Sequence, residues 1–289
     1  MNKLMSGKNI RKLWYKFSRN IFSIIGLIIV IIVLFVVVFA PYIAPHPDSA
    51  KKYLNFAKAM QKPSIIHLCG TDPYGRDIFS RILFGTRISF FTAIIVLFFT
   101  VIIGIPVGLF AGYLVEKHWI SDVLMRIVEI FISIPSLLLA LVISSQLNLG
   151  IYNVMIALTI TWWPWYARLM FNVVSSIRNE KFVLASELIG VNTWHILFKE
   201  ILPNCFTTIL TKFTLDVGSV IILAASISYL GLGAQPPTPG LGTMISEGAK
   251  YLPNQWWVSI FPGLAVLIIV LGFNLLGDGL HDMFRPDKK

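Results

Sequence analysis

Charge is scarce in this chain, and cysteine scarcer still. Of 289 residues only 13% are Asp, Glu, Lys or Arg, about half the share of a soluble domain, whereas 56% are hydrophobic and the mean hydropathy is +0.76. The two cysteines, Cys69 and Cys205, stand far apart and on opposite sides of the topology set out below, which excludes a disulfide framework and a CxxC centre. The histidines His46, His67, His118, His195 and His281 are scattered, no two at ligand spacing, so no metal site is expected. There is no GxxxxGK[ST] phosphate loop, nucleophile elbow or HExxH helix, so the chain is not read as an enzyme and no catalytic residues are assigned. The formal charge of +10 is spread over both ends and several loops without interleaved aromatics, which speaks against nucleic acid and for anionic lipid headgroups.

What the chain has is long apolar runs. Residues 1–20 carry Lys3, Lys8, Arg11, Lys12, Lys16 and Arg19 and no acid. Ile21 to Ala40 then runs on almost purely aliphatic, enough at about 1.5 Å per residue to cross a hydrocarbon core of about 30 Å. It is longer than the apolar region of a signal peptide and ends at Pro41, so it reads as an uncleaved first span with the amino terminus inside. The outer side carries Lys51, Lys52, Lys58, Lys62, Arg76, Arg81 and Arg87, which runs against that orientation; the amino-terminal cluster is given the greater weight.

Further spans follow at Ile88 to Val115 with a kink at Pro106, at Asp122 to Leu147 with Pro135 in its middle and an Asp122–Arg126 pair, and at Ile151 to Val174. In the last of these, Trp162 and Trp163 fall near mid-span, where they either line a path or pack spans together. Thr207 to Leu232 and Leu252 to Gly277 complete an all-α polytopic fold of six spans with both ends in the cytoplasm. Asp216 lies within the fifth span, with Lys212 four residues before it as partner, in a structural ion pair or a transport role. Between the first two spans, Gly70 to Gly85 reads as an amphipathic helix in the membrane interface, capped by Asp72 with Pro73 at its first position and carrying an Asp77–Arg81 pair.

Phe182 to Asn204 lies between two apolar spans, yet Glu187, His195, Lys199 and Glu200 keep it out of the bilayer. Lys181 to Ile189 reads as a short helix ended by Gly190 in a left-handed conformation. Asn192 or Thr193 caps a second helix, on which Trp194, Leu197, Phe198 and Ile201 share one face until Pro203 stops it. Two short helices hinged at a glycine and held against the membrane surface are expected.

Here the sequence resembles a known family. Ala185, Gly190 and Leu202-Pro203-Asn204 match the EAA loop of permease subunits in bacterial ABC importers, with Leu184 in place of the namesake glutamate and Ser186 in place of the second alanine. HLCGTDPYGRD is similar to the HLLGTDxxGRD segment of the oligopeptide/dipeptide branch, Cys69 replacing a leucine. GLGAQPPTPGLG resembles LGLGxQPPxPxWG with Leu241 at the tryptophan, and FNLLGDGLHDMFRP resembles FNLLGDGLRDxLDP with His281 at the arginine.

The resemblance implies a C-type permease of the type I importer fold in the bacterial cytoplasmic membrane. It implies an interfacial motif of Gly70, Thr71, Asp72, Gly75, Arg76 and Asp77, and a coupling loop whose residues are Ala185, Ser186, Glu187, Gly190, Trp194, Leu197, Phe198 and Pro203. The implied partners are a homologous second permease, two ABC ATPase subunits that bind ATP and Mg, an extracytoplasmic substrate-binding protein and membrane lipid; this chain itself holds no cofactor. The expected domains are 1–69 (amino terminus, first span and outer loop), 70–286 (permease domain, coupling loop 180–204) and a 287–289 tail. Peptides are the expected cargo, with nickel or a metal chelate as the alternative. An ATP-independent carrier or channel is the rival from another class, disfavoured by the lack of ionisable groups near the bilayer midplane.

Overall fold

The computed structural model describes residues 7–51, 54–115 and 119–284. Outside these fall Lys3 of the amino-terminal basic cluster, Lys52 of the outer loop, residues 116–118 between the second and third expected spans, Arg285 and Pro286 of the carboxy-terminal motif, and the 287–289 tail. Among the described residues the chain is built of helices and loops. In order they are α1 (Gly7–Arg19), α2 (Ile21–Ile43), α3 (Ile78–Tyr113), α4 (Trp119–Ser133), α5 (Ser136–Gln146), α6 (Ile151–Ile177), α7 (Lys181–Leu188), α8 (Thr193–His195), α9 (Leu202–Tyr229), α10 (Leu241–Ala249) and α11 (Trp257–Phe284).

Helix α2 shows why this is a membrane protein. Asn20 caps it by accepting from Phe22 N–H. Only one stripe, Ser23, Gly26, Val30, Val33, Val37 and Ala40, is buried, while Ile28, Ile31, Ile32 and Phe35 stay exposed on the opposite side. Water would not tolerate that exposed face; lipid solvates it. Pro41 falls inside the last turn instead of ending the helix, which runs on to Ile43.

The core joins α3, α6, α9 and α11, with Leu97, Leu109, Leu158, Tyr166, Met170 and Ile221 fully buried. Helices α3 and α6 make the most extensive helix–helix contact, for a reason written in α3. Gly104, Gly108 and Gly112 repeat every fourth residue on one face, and a Cβ at any of them would strike Trp163, Ala167 or Val174 of α6. Without a hydrophobic driving force between helices in lipid, such small-residue stripes let backbones approach and gain dispersion contacts.

Several expectations need correction. There is no separate interfacial helix over Gly70 to Gly85: residues 70–77 form a turn closed by an isolated bridge between Thr71 and Asp77, and residues 78–85 are already the head of α3. The cap of α3 is Asp77, which accepts from Ser80 N–H at 2.8 Å, and not Asp72. Asp122 to Leu147 is not one straight span, because α4 and α5 meet at 88° across Ile134-Pro135, where the proline cannot continue the helix. Arg126 pairs with Glu129 at 3.3 Å and not with Asp122. Pro203 does not stop its helix either; Thr193–Tyr229 is continuous over 37 residues. The last helix starts at Trp257 and reaches Phe284, and α1 and α10 were not anticipated as helices.

Four helices among the described residues, α2, α3, Thr193–Tyr229 and α11, are long and apolar enough to cross a membrane, and the α4–α5 pair makes a fifth if counted as one span. Helix α6, at 27 residues, has the length, but Asn153, Arg168, Asn172 and its aromatic cluster dilute its apolarity.

Candidate functional site

Helix α7 ends in a Schellman motif. Gly190, at φ +77°, donates its N–H to Glu187 C=O, and Val191 N–H reaches Ser186 C=O. A side chain at Gly190 would meet open space, so it is the backbone angle and not crowding that calls for glycine. Asn192 then caps the second arm, accepting from Trp194 N–H at 2.9 Å. The expected helix–glycine–helix elbow is present, with Asn192 as the cap.

The second arm departs from regular helix over Ile196–Ile201, a π-helical turn in which Leu202 N–H reaches back five residues to Leu197 C=O. In a regular α-helix the ring of Pro203 would press on the carbonyl four residues earlier; the wider turn just ahead absorbs the misfit, so the elbow runs unbroken into α9.

Ties from three directions fix the elbow. Tyr113, the last residue of α3, donates a 2.7 Å hydrogen bond to Glu187 Oε1. The Arg178 guanidinium lies over the Tyr113 ring and donates to the Tyr113 carbonyl. Ser186 Oγ is 2.8 and 3.0 Å from the carboxylate oxygens of Glu200, which bridges the two arms. Trp194 and Phe198 stack at 5.6 Å and both meet the edge of Phe110 on α3.

Burial sorts the expected contact residues. Leu197 and Ile201 are fully buried against the bundle, so Leu197 cannot form part of an outward surface; it is an anchor. Trp194 and Phe198 stay outward, at 61% and 40% exposed. The tip missed in the sequence is more exposed still: Leu188 at 87% and Ile189 at 79%, flanking Gly190. Ala185 and Pro203 are exposed, and Ser186 and Glu187 half-buried. Two adjacent bare aliphatics on a rigid, hydrogen-bonded elbow make a knob that another protein's groove can hold.

The second cluster of expected residues lies at the head of α3. Asp72 accepts from Tyr74 N–H and Arg76 N–H at 2.9 Å, from Arg76 Nε at 2.6 Å, and lies 3.6 Å from Arg81 Nε. Arg81 therefore pairs with Asp72 and not, as the spacing suggests, with Asp77. Arg76 also faces Glu247 of α10 at 3.7 Å, and Arg81 donates to the carbonyls of Ser49 and Pro237. Gly70 and Gly75 both need positive φ, and Thr71 Oγ donates to Lys58 C=O at 2.6 Å. This is a buried polar clasp that fastens the loop after α2 to α3 and α10.

Within the bundle, Asp216 and Lys212 pair at 2.7 Å, with Asp216 buried. The buried Tyr166 hydroxyl lies beside this carboxylate. Trp163 packs edge-on against Phe131, and Trp162 packs against the core. The structure does not bring Asp216 together with either tryptophan in a common contact that it records.

Helical permease architecture with an elbow between spans defines a class, membrane subunits of ABC importers, and comparison with known proteins makes the assignment specific. Residues 104–289 match the family "Binding-protein-dependent transport system inner membrane component", and residues 9–63 match the "N-terminal TM domain of oligopeptide transport permease C". The likeness thus extends into the first stretch, where sequence motifs offered nothing. The dipeptide transport system permease protein of Alkalihalophilus pseudofirmus is 37% identical over 96% of this chain and 90% of its own length. The glutathione transport system permease protein of Pectobacterium atrosepticum is 37% identical over 96% and 91%. The di/tripeptide transport system permease protein of Pseudomonas aeruginosa is 36% identical over 97% and 93%. Among solved structures, the inward-facing MetNI methionine ABC transporter aligns with a TM-score of 0.60 at 21% identity, over 72% of this chain and 98% of that one.

The chain belongs to the binding-protein-dependent transport system inner membrane component family. It is a multi-pass membrane permease subunit of a binding-protein-dependent ABC importer and not an enzyme.

Proposed function

We propose that this subunit forms half of a pathway for di- and oligopeptides, completed by a homologous second permease, and that the elbow over 180–204 is where an ATPase subunit grips it. The observation that carries the coupling role is the exposed Leu188-Ile189 tip beside Gly190, on arms tied to α3 and continuous with α9. Two ATPases, one on each permease, bind ATP and Mg and close; each elbow carries that motion as a lever into the spans, giving alternating access by rigid-body change. An extracytoplasmic binding protein delivers cargo at the opposite face. In this reading the chain crosses the membrane six times, α6 and the bent α4–α5 pair included, with both termini in the cytoplasm. The buried clasp of 70–77 then belongs to the outer side, and the domains are the first span with its loop, 1–69, and the permease domain, 70–286. The dipeptide, di/tripeptide and glutathione permeases among the relatives favour peptides over nickel or a metal chelate.

The test is uptake of a labelled dipeptide by cells carrying the complete transporter, alongside ATP hydrolysis by the purified complex. Gly190→Pro places at φ +77° a residue whose ring holds φ at about −65° and cannot adopt that angle. The variant is expected to insert normally, to hydrolyse ATP, and to lose most uptake. Wild-type uptake by this variant would count against the lever; uptake of nickel and not of peptides would count against the cargo.

A further inference from the structure

Scattered along the sequence, two histidines meet in space. His46 follows α2, His67 lies in the loop before α3, and Asp77 caps α3, so three separate segments converge. The imidazole centroids of His46 and His67 are 4.8 Å apart, and His67 Nδ1 is 2.9 Å from Asp77 Oδ1. One nitrogen from each ring and one Asp77 oxygen all lie within 4.8 Å of one another. His67 and Asp77 are buried; His46 is half-buried, and both histidines line a cavity of about 190 Å³ through which an ion can enter.

An ordinary buried histidine would use both ring nitrogens. His67 does not: its Nε2 is buried with no hydrogen-bond partner among the described residues, so the ring is held through Nδ1 beside Asp77, and Nδ1 is the nitrogen it offers together with that carboxylate. The Asp77 carboxylate is held rigidly, Oδ2 by Ser80 N–H, and its backbone N–H donates to Ser49 Oγ. His46 is placed by its own backbone, N–H to Ser80 Oγ at 3.0 Å, and its ring Nε2 lies 3.2 Å from Ile66 C=O, which leaves Nδ1 to act as a ligand. Lys58 lines the same cavity and opposes a cation; Asp48, also lining it, supplies a compensating carboxylate.

We infer that His46, His67 and Asp77 form a binding site for one divalent transition-metal ion of the zinc or nickel kind, which clips the loop after α2 to the head of α3. Two imidazoles and a carboxylate suit these borderline ions, whereas magnesium and calcium prefer all-oxygen sets. Metal–nitrogen bonds of about 2.0–2.1 Å require the ligands to draw closer than 4.8 Å, and the half-exposed His46 ring is the one free to swing inward. The proposal stands apart from the identity of the cargo.

The test uses the full chain in detergent, purified with a tag that contains no histidine, loaded with Zn²⁺, dialysed, and counted by elemental mass spectrometry. About one zinc per chain is expected, falling at least tenfold in His46→Ala and in the His46→Ala/His67→Gln double variant. His67 touches the helix cap and its loss could disturb folding, so His46→Ala is the decisive variant, with unchanged helical circular dichroism as control. Zinc should also slow proteolysis within 44–77 in the unaltered chain and not in His46→Ala. A full equivalent of zinc retained by His46→Ala, or no more zinc on the unaltered chain than on the double variant, overturns the site.

Discussion

The hydroxyl of Tyr113 donates a 2.7 Å hydrogen bond to Glu187 Oε1, and so joins the last residue of α3 to the first arm of the elbow. Glu187 is one residue from the exposed Leu188 tip, so whatever moves the tip is felt at the end of a helix whose glycine face is locked to α6.

Tyr113→Phe removes that bond and keeps the ring on which Arg178 sits. A hydrogen bond to a charged group contributes about 1.5–3 kcal/mol; partial exposure here puts the effect at the low end. Under the proposed lever, insertion stays normal while peptide taken up per ATP hydrolysed falls several-fold. Measuring uptake and hydrolysis on the same preparation checks it, and an unchanged ratio removes the tie from the account.

Asp72→Asn strikes the clasp. One carboxylate serves Arg76 and Arg81, all three side chains being buried, so neutralising it leaves two guanidinium groups without their nearest counter-charge. Breaking a buried pair from one side costs about 3–5 kcal/mol. The purified variant should melt well below the unaltered chain or fail to accumulate in membranes. Glu247→Gln, which removes only the 3.7 Å contact of a half-buried acid, should cost much less.

Cys69 carries a pH dependence. Its thiol is pushed up to about 11, first by burial and then by the charge of Asp77. Only the thiolate reacts with maleimide, so in a Cys205→Ser background labelling should be slow near pH 8 and rise about tenfold per pH step up to about pH 10. A rate that levels off near pH 9 would show a thiol with an ordinary environment.

The apolar runs and the elbow were legible in the chain because they depend on local chemistry: aliphatic length for the spans, Gly190 for a left-handed turn, Asn192 for a cap. The head of α3 was not, because Asp72-Pro73 by itself reads as a helix start. What decides the cap is tertiary: Asp72 turns its oxygens onto its own turn and two arginines, leaving Asp77 to cap. Pro203 misled for a related reason, since no local rule announces the π-turn that accommodates it. Spacing rightly grouped Leu197 with Trp194 and Phe198 on one side, but which edge of that side faces the bundle depends on α3 and its Phe110. The meeting of His46 with His67 depends wholly on how the intervening loop folds.

The most direct measurement is cysteine cross-linking within the assembled transporter. Leu188→Cys and Ile189→Cys, placed in a chain with Cys69 and Cys205 replaced by serine, should each form a short-range cross-link to the ATPase subunit, in a yield that changes when ATP is added. Leu197→Cys, fully buried, should form none. Cross-links from 188 and 189 only to lipid or to the second permease, with none to the ATPase, would contradict the account.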